Sequence, residues 1–402
     1  MALAAVAAGP GEARAATMDT LVTGQLLGGQ YAFGGRKGAL GGDASLSVVP
    51  AVRVNENLSL VPVLTSSYQG TKQVVDLVGA GTLFQEQMDH RLGVRAVIED
   101  PGGRWRFKPS VGYKYELLKE TKDEAWGHGL FDYRRLGGGV EVEYLYRRPY
   151  SVRAGIEDFY TSFPNYESLE SQAPADLQGR PLARELAGRH VLDQHGQTVF
   201  LAATWPSGRF EQEGRLAIQH VRYPGQHLID SAGQFGSAVR DDFLTTLGWS
   251  LSMPAELNTD LHWLGSLSLG ADYNASDQNS YGAADFKALP NYYDYGDVNA
   301  GVGGKFLYGE RGRPVVFSAG VSWSLRRYPY RPPQDSTGLY GGGAQRERFW
   351  SFSASALYPM AERWSLVARF QTGRASSNQH YEQMYAYNYT VTNYVCGVSY
   401  EY

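Results

Sequence analysis

The side chains that could do chemistry are few and scattered. His220, His227 and His262, the acidic pair Asp241-Asp242, the single Cys396 and many serines are present. A nucleophilic hydrolase needs a serine on a tight turn beside a base, and the G-x-S-x-G pattern does not occur. The helical zinc motif H-E-x-x-H is also absent. One cysteine can form no disulfide and no cysteine-based zinc site within the chain. Gly34-Gly35, Gly41-Gly42, Gly137-Gly138-Gly139 and Gly341-Gly342-Gly343 are followed by no Lys-Ser/Thr and open no helix. They read as bends or turns, not as phosphate cradles. Neither an enzyme nor a cofactor or metal site is expected.

What the sequence does gather is charge on one side of neighbouring segments. Arg91, Arg95, Arg104, Arg106, Lys108 and Lys114 share the polar face of segments 84–99 and 104–117, and Glu141 and Glu143 share that of 131–146. Two chemistries fit. A charged wall would select or orient solutes, and a ladder of cross-strand ion pairs would brace the wall. Arg104 and Arg106, nearest a turn, are expected to be solvated. Arg91, Arg95, Lys108, Lys114, Glu141 and Glu143 are therefore the candidate lumen-lining residues. Two tyrosine-rich stretches, PNYYDYGD at 290–297 and HYEQMYAYNY at 380–389, could stack on sugars. They fit better as part of the aromatic girdle of a membrane barrel.

The elements that must position these residues follow a period of two. In RWRFKPSVGYKYEL, residues 104–117, one face carries Trp105, Phe107, Pro109, Val111, Tyr113, Tyr115 and Leu117. The other carries Arg104, Arg106, Lys108, Ser110, Gly112, Lys114 and Glu116. A helix would scatter both sets round its circumference, whereas a strand separates them. The same alternation appears in 242–253, 258–274 and 314–326. About 16 such segments are recognised by strand signals. Most are longer than the five or six residues of ordinary strands and long enough to span a bilayer.

Their connections alternate in length. Short turns fall at 55–57, 100–103, 147–149, 206–208, 254–256, 309–312 and 359–362, and longer polar stretches at 70–83, 118–130, 164–196, 224–238, 275–293 and 329–345. Such alternation is that of periplasmic turns and extracellular loops in a barrel. The longest loop, 164–196, contains PLARELA at 181–187, which predicts one or two helical turns.

Composition fits this reading. The 402 residues include 37 basic and 41 acidic side chains, which argues against a nucleic-acid partner. Mean hydropathy is −0.36, and no apolar run is long enough for a membrane helix. A barrel wall alternates lipid-facing and lumen-facing residues, so its average looks like that of a soluble protein. The Ala-rich start and the A-x-A site at Ala13-Arg14-Ala15 predict a signal peptide over 1–16, cleaved before Ala16. Its basic n-region is missing, so a start upstream of Met1 is expected. Residues 17–402 then form one domain.

The terminal sequence YVCGVSYEY resembles the C-terminal signature of bacterial outer-membrane β-barrels, with Tyr394, Cys396, Val398, Tyr400 and Tyr402 alternating up to a final aromatic. The resemblance implies recognition by the barrel-assembly machinery, with Tyr394, Val398, Tyr400 and Tyr402 as the assembly signal. Tyr385, Tyr387, Tyr389 and Val391 have the opposite parity, which calls for a bulge or for aromatics turned inward. The architecture is similar to that of the porin-like superfamily. Size and strand count give a weaker likeness to outlets for polysaccharide or surface-lipoprotein export.

The expectation is an all-β chain forming one antiparallel transmembrane barrel of about 16 strands in a bacterial outer membrane. It would serve as a channel or export conduit for polar solutes or polymer. A non-conducting barrel that anchors a larger envelope or secretion assembly is the alternative, and a barrel enzyme a distant third. The partners expected are outer-membrane lipid, the assembly machinery, and a second copy or an envelope component.

Overall fold

In a computed structural model, residues 17–36, 38–147, 149–167, 185–282, 287–310, 312–383 and 385–402 are described. The expected signal peptide and most of PLARELA lie outside them. Sixteen long strands close one barrel. They are β1 (Thr17–Phe33), β2 (Ala39–Arg53), β3 (Leu58–Gln69), β6 (Glu86–Glu99), β7 (Trp105–Lys119), β8 (Tyr133–Arg147), β9 (Tyr150–Ser162) and β10 (Gln194–Ser207). The ring continues through β11 (Phe210–Ile229), β12 (Phe235–Asn258), β13 (Leu261–Ser276), β16 (Tyr295–Tyr308), β17 (Val315–Tyr328), β18 (Gln345–Ala361), β19 (Trp364–Ser377) and β20 (Tyr389–Glu401). Two small hairpins, β4–β5 (Gln73–Asp76, Gly81–Phe84) and β14–β15 (Ser280–Gly282, Lys287–Leu289), sit in the long loops.

Every neighbouring pair is antiparallel, and β1 closes on β20 from Thr23↔Glu401 to Phe33↔Val391. Closure leaves no unpaired edge, which is the condition for strands to exist in hydrocarbon. The seam is tight. A Cβ on Gly29 would lie 1.8 Å from the Tyr394 carbonyl oxygen, and one on Gly397 would lie 1.9 Å from that of Leu26. Only glycine fits at either position.

The outer face is apolar and exposed, with Leu92, Val111, Leu136, Ile156, Val199, Leu247, Val302 and Phe317 among its residues. Rings such as Trp105 and Tyr144, 4.6 Å apart, and Trp364 and Tyr400, 5.0 Å apart, mark its short-turn border. An apolar band of this kind bounded by aromatics is a lipid-facing wall. The short turns are built by local side chains. Asp100 Oδ1 accepts from the amides of Arg104 and Trp105, its Oδ2 accepts from Gly102, and Gly103 takes φ 65°.

Three expectations need correction. Segment 224–238 is not a loop: β11 and β12 continue upward, with register shifts between Tyr223 and Ile229, and only 230–234 connects them. The turn placed at 254–256 lies instead at 259–260, because Pro254 stays in the ladder opposite Leu264. Gly41-Gly42 and Gly137-Gly138-Gly139 are strand interior. Gly139 leaves room for Glu157, and Gly137 for Phe159.

Candidate functional site

Alternation in β6, β7 and β8 turns the candidate charged residues to the inner face, where they meet across strands. Lys108 Nζ lies 2.7 Å from Glu141 and 2.9 Å from Glu143. Lys114 pairs with Asp89 at 3.0 Å and with Glu116. Arg91 is held by Asp89 through Nε at 2.7 Å and Nη2 at 2.9 Å. Arg106 was expected to be solvated, but reaches Glu99 at 2.8 Å and Glu143 at 3.5 Å. Arg95 makes no ion pair among the described residues. The geometry joins most of the cluster into a cross-strand ladder, and such pairs brace neighbouring strands.

Further round the wall, a second pattern positions cations. The Phe159 ring lies against Gly196, where a Cβ would sit 2.1 Å from it, and the Arg135 guanidinium lies 3.6 Å from the ring centroid. Phe200 covers Gly155 in the same way, and Arg215 lies 4.5 Å from its ring. Each glycine lets a ring lie flat on the wall, and each ring then carries a guanidinium by cation–π attraction. Arg135 and Arg215 make no ion-pair contact among the described residues, although Glu157 acts on Arg135. No motif announces this, since the partners lie on separate strands and meet only through register.

The long-loop end is crowded. Hairpin β4–β5 leaves the wall between β3 and β6 and crosses to the far side of the ring. There Asp76 Oδ2 meets Arg326 Nη1 at 2.6 Å, and the Gly79 carbonyl accepts from Arg331 Nη1 at 2.7 Å. The Gly81 carbonyl accepts from the amide of Ala386 at 2.9 Å. Val78 and Phe84 of the hairpin, Leu118 of β7, and Phe131, Phe163, Tyr166, Val191 and Leu192 of two long loops form a buried apolar cluster. Burying these side chains stabilises the closed arrangement by roughly 1.5–3 kcal/mol per large residue. Glu185 anchors the longest loop: its Oε1 accepts from the Tyr293 hydroxyl at 3.0 Å, and its carbonyl accepts from Gln226. Burial pushes the Glu185 carboxyl above the usual carboxylate range and the Tyr293 phenol above the usual tyrosine range.

Arginines and tyrosines interleave in this mouth. Arg331 is sandwiched between Tyr328 at 3.8 Å and Tyr292 at 4.1 Å. Arg240 lies over Tyr293 at 4.1 Å and Tyr223 at 4.4 Å, and Arg326 over Tyr295 at 4.3 Å. Tyr387 and Tyr389 line a cavity with Asp76, Arg326 and Glu347. The tyrosine-rich stretches are thus not a girdle. Their aromatics turn inward, and β19–β20 pairing runs without a register shift, which resolves the parity switch before Val391. The stretch 290–297 misled because tyrosine suits both an interface and an arginine-lined lumen.

Below the hairpin lies a cavity of about 300 Å³ lined from opposite sides of the barrel, including Arg135, Gln194, Gln219, Tyr223, Arg240 and Arg331. At the end of the chain, Tyr394, Cys396 and Tyr402 are exposed, whereas Val395 is buried. His220 and Asp241 pair at 3.0 Å on outward positions, with Phe243 stacked on the imidazole. Among the described residues, no group of three or more His, Cys, Asp or Glu side chains is placed to hold a metal.

No protein-family model and no curated protein matches the chain. Solved structures do. OccK2 (OpdF) of Pseudomonas aeruginosa in complex with glucuronate is 12% identical with TM-score 0.47, over 96% of each chain. OmpT of Vibrio cholerae, in its trimer form, is 12% identical with TM-score 0.46, over 97% of this chain and 100% of that one. A structure described as a bacterial polysaccharide outer membrane secretin is 9% identical with TM-score 0.44, over 95% and 98%. The closed sixteen-stranded wall and its apolar band are those of a transmembrane β-barrel.

Proposed function

We propose that the protein is a non-catalytic outer-membrane channel or export conduit for polar solutes or polymer, gated at the long-loop end by hairpin β4–β5. One observation carries this reading: the hairpin spans a lumen with a polar inner wall and is fastened to the far side by few contacts. Those are the Asp76–Arg326 ion pair and backbone acceptors at Gly79 and Gly81. A barrel of sixteen strands is wide enough for an aqueous lumen. The segment crossing it would set the passage, and the Asp76–Arg326 pair, with side chains 34% and 27% exposed, is the charged contact that must break for the hairpin to move. The His220–Asp241 pair faces away from the lumen.

The loop core around Phe84 and Phe131 also favours a second reading, a permanently filled mouth on a barrel that anchors an envelope assembly. Liposome swelling separates the two. Protein in which residues 73–84 are replaced by a short Gly-Ser linker should admit small sugars much faster than wild type. Equal impermeability of both would favour the anchor. Lipid, the assembly machinery, and a second copy or envelope component remain the partners this reading implies, and Tyr394, Val398, Tyr400 and Tyr402 its assembly signal.

A further inference from the structure

Two arginines of the cavity beneath the hairpin make no ion-pair contact with a carboxylate among the described residues, although Glu347 acts on Arg331 from a distance. Arg331 is only 1% exposed. Its Nε donates to the Tyr292 carbonyl at 3.2 Å and its Nη1 to that of Gly79, while Nη2 is buried with no acceptor. A buried charged donor without an acceptor is costly and marks a place where an acceptor belongs. Arg135, on the other side of the ring, is fixed on Phe159 with Glu157 acting on it, and makes no hydrogen bond or ion-pair contact among the described residues. The other charges of the lining are paired. Asp242 is held by Arg240 through Nε at 2.8 Å and Nη2 at 2.5 Å, and Asp76 by Arg326. The lining thus carries three arginines, Arg135, Arg240 and Arg331, against two aspartates, Asp76 and Asp242, and the excess sits on guanidinium groups, whose planar fork matches a carboxylate.

The neutral lining is polar and also free. The Gln194 and Gln219 amides and the Tyr223 and Tyr295 hydroxyls make no hydrogen bond among the described residues, and all four line the cavity. Such groups exchange hydrogen bonds with hydroxyls of a solute. The volume of about 300 Å³ is at the small end for a ligand site and suits one sugar-sized molecule.

We propose that this cavity is a binding site for a small polyhydroxylated carboxylate, an acidic sugar in chemical class, whose carboxylate pairs with Arg135 within the positive field of Arg331. The inference deepens the conduit reading by naming the solute class held beneath the gate, and it rests on that reading for its physiological meaning. Binding itself can be tested without transport.

The test is isothermal titration of the full chain, folded in detergent, with galacturonate, and with galactose and inorganic phosphate as comparisons. Galacturonate should bind saturably and far more tightly than galactose. Arg135→Gln should weaken it about tenfold to a hundredfold, the effect of losing one charge-assisted hydrogen bond. Gln219→Ala should weaken it by roughly three- to tenfold, as a neutral hydrogen bond would, and serves if the arginine variant fails to fold. The proposal is overturned if galacturonate does not bind saturably, if galactose binds equally well, or if phosphate matches galacturonate, since a bare anion trap would need no hydroxyl partners. Unchanged affinity in the folded variants would overturn it too. No current is measured, so a silent bilayer would count against the conduit alone, and a conducting barrel that ignores galacturonate would count against this site alone.

Discussion

Val111 and Ser110 are adjacent in β7 yet face different solvents, so replacing each with arginine probes the wall directly. Val111 is 57% exposed on the outer face and is registered with Val94 and Gly138. It lies six residues beyond Trp105 in the strand. At about 3.3 Å per residue that is roughly 20 Å along the strand, and a tilt of about 40° reduces it to about 15 Å above the aromatic border. In an apolar band about 25 Å tall, this is close to the midplane. Arg at that depth costs about 2–4 kcal/mol on a lipid face. Ser110 is registered with Arg95 and Gly139 on the inner face. Ser110→Arg enters the polar lumen and should cost less than about 1 kcal/mol, the usual range for solvated substitutions. Urea unfolding in phosphatidylcholine vesicles measures both. A soluble sandwich would also bury Val111, so the bilayer is essential to the comparison. Equal losses, or a Val111→Arg barrel as stable as wild type, would refute the assignment of faces.

Three further outcomes follow from named contacts. A cysteine at Gly102 in a short turn should be shielded from impermeant maleimide on intact cells, whereas one at the exposed His190 in the longest loop should label; the reverse pattern would invert the barrel. Replacing Tyr402 with a charged residue should lower the yield of heat-modifiable barrel much more than replacing Glu401, and equal yields would remove the assembly signal. Glu185 gives the pH dependence. Burial raises its carboxyl when the loop is docked, so the docked state holds the proton longer than the released state does. Docking is then fully stable below the ordinary carboxylate pKa and weakens as pH rises from there to the raised value. Limited proteolysis of the loop should accordingly be faster at pH 8 than at pH 5, and Glu185→Gln should remove the difference.

The wall was legible in the sequence because a half-lipid, half-water wall demands strict alternation. Trp105, Phe107 and Val111 against Lys108 and Lys114 can be sorted without knowing any partner strand. The Lys108–Glu141 pair was foreseeable as one of two uses of adjacent charged strands. What escaped depends on partners distant in sequence. Asp76 and Arg326 are 250 residues apart and meet only because the hairpin crosses the ring. Tyr292, Tyr293 and Tyr328 look alike as girdle residues and as platforms for arginine, and only the inward course of their loops decides. The 224–238 stretch was misread because Gly225 and Pro224 are turn residues by type. There they are absorbed by irregular pairing while Gln226 is buried against Glu185.

The central claim is that hairpin β4–β5 closes a conducting lumen, and single-channel recording in planar bilayers tests it most directly. The Asp76 carboxylate is the one charged group by which the described hairpin grips the opposite wall, through Arg326 at 2.6 Å. Wild type should show small or infrequent openings. Asp76→Asn should open more often at the same unitary size, and replacing residues 73–84 by a Gly-Ser linker should give a larger, steadily open channel. A silent linker variant, inserted and heat-modifiable like wild type, would contradict the account.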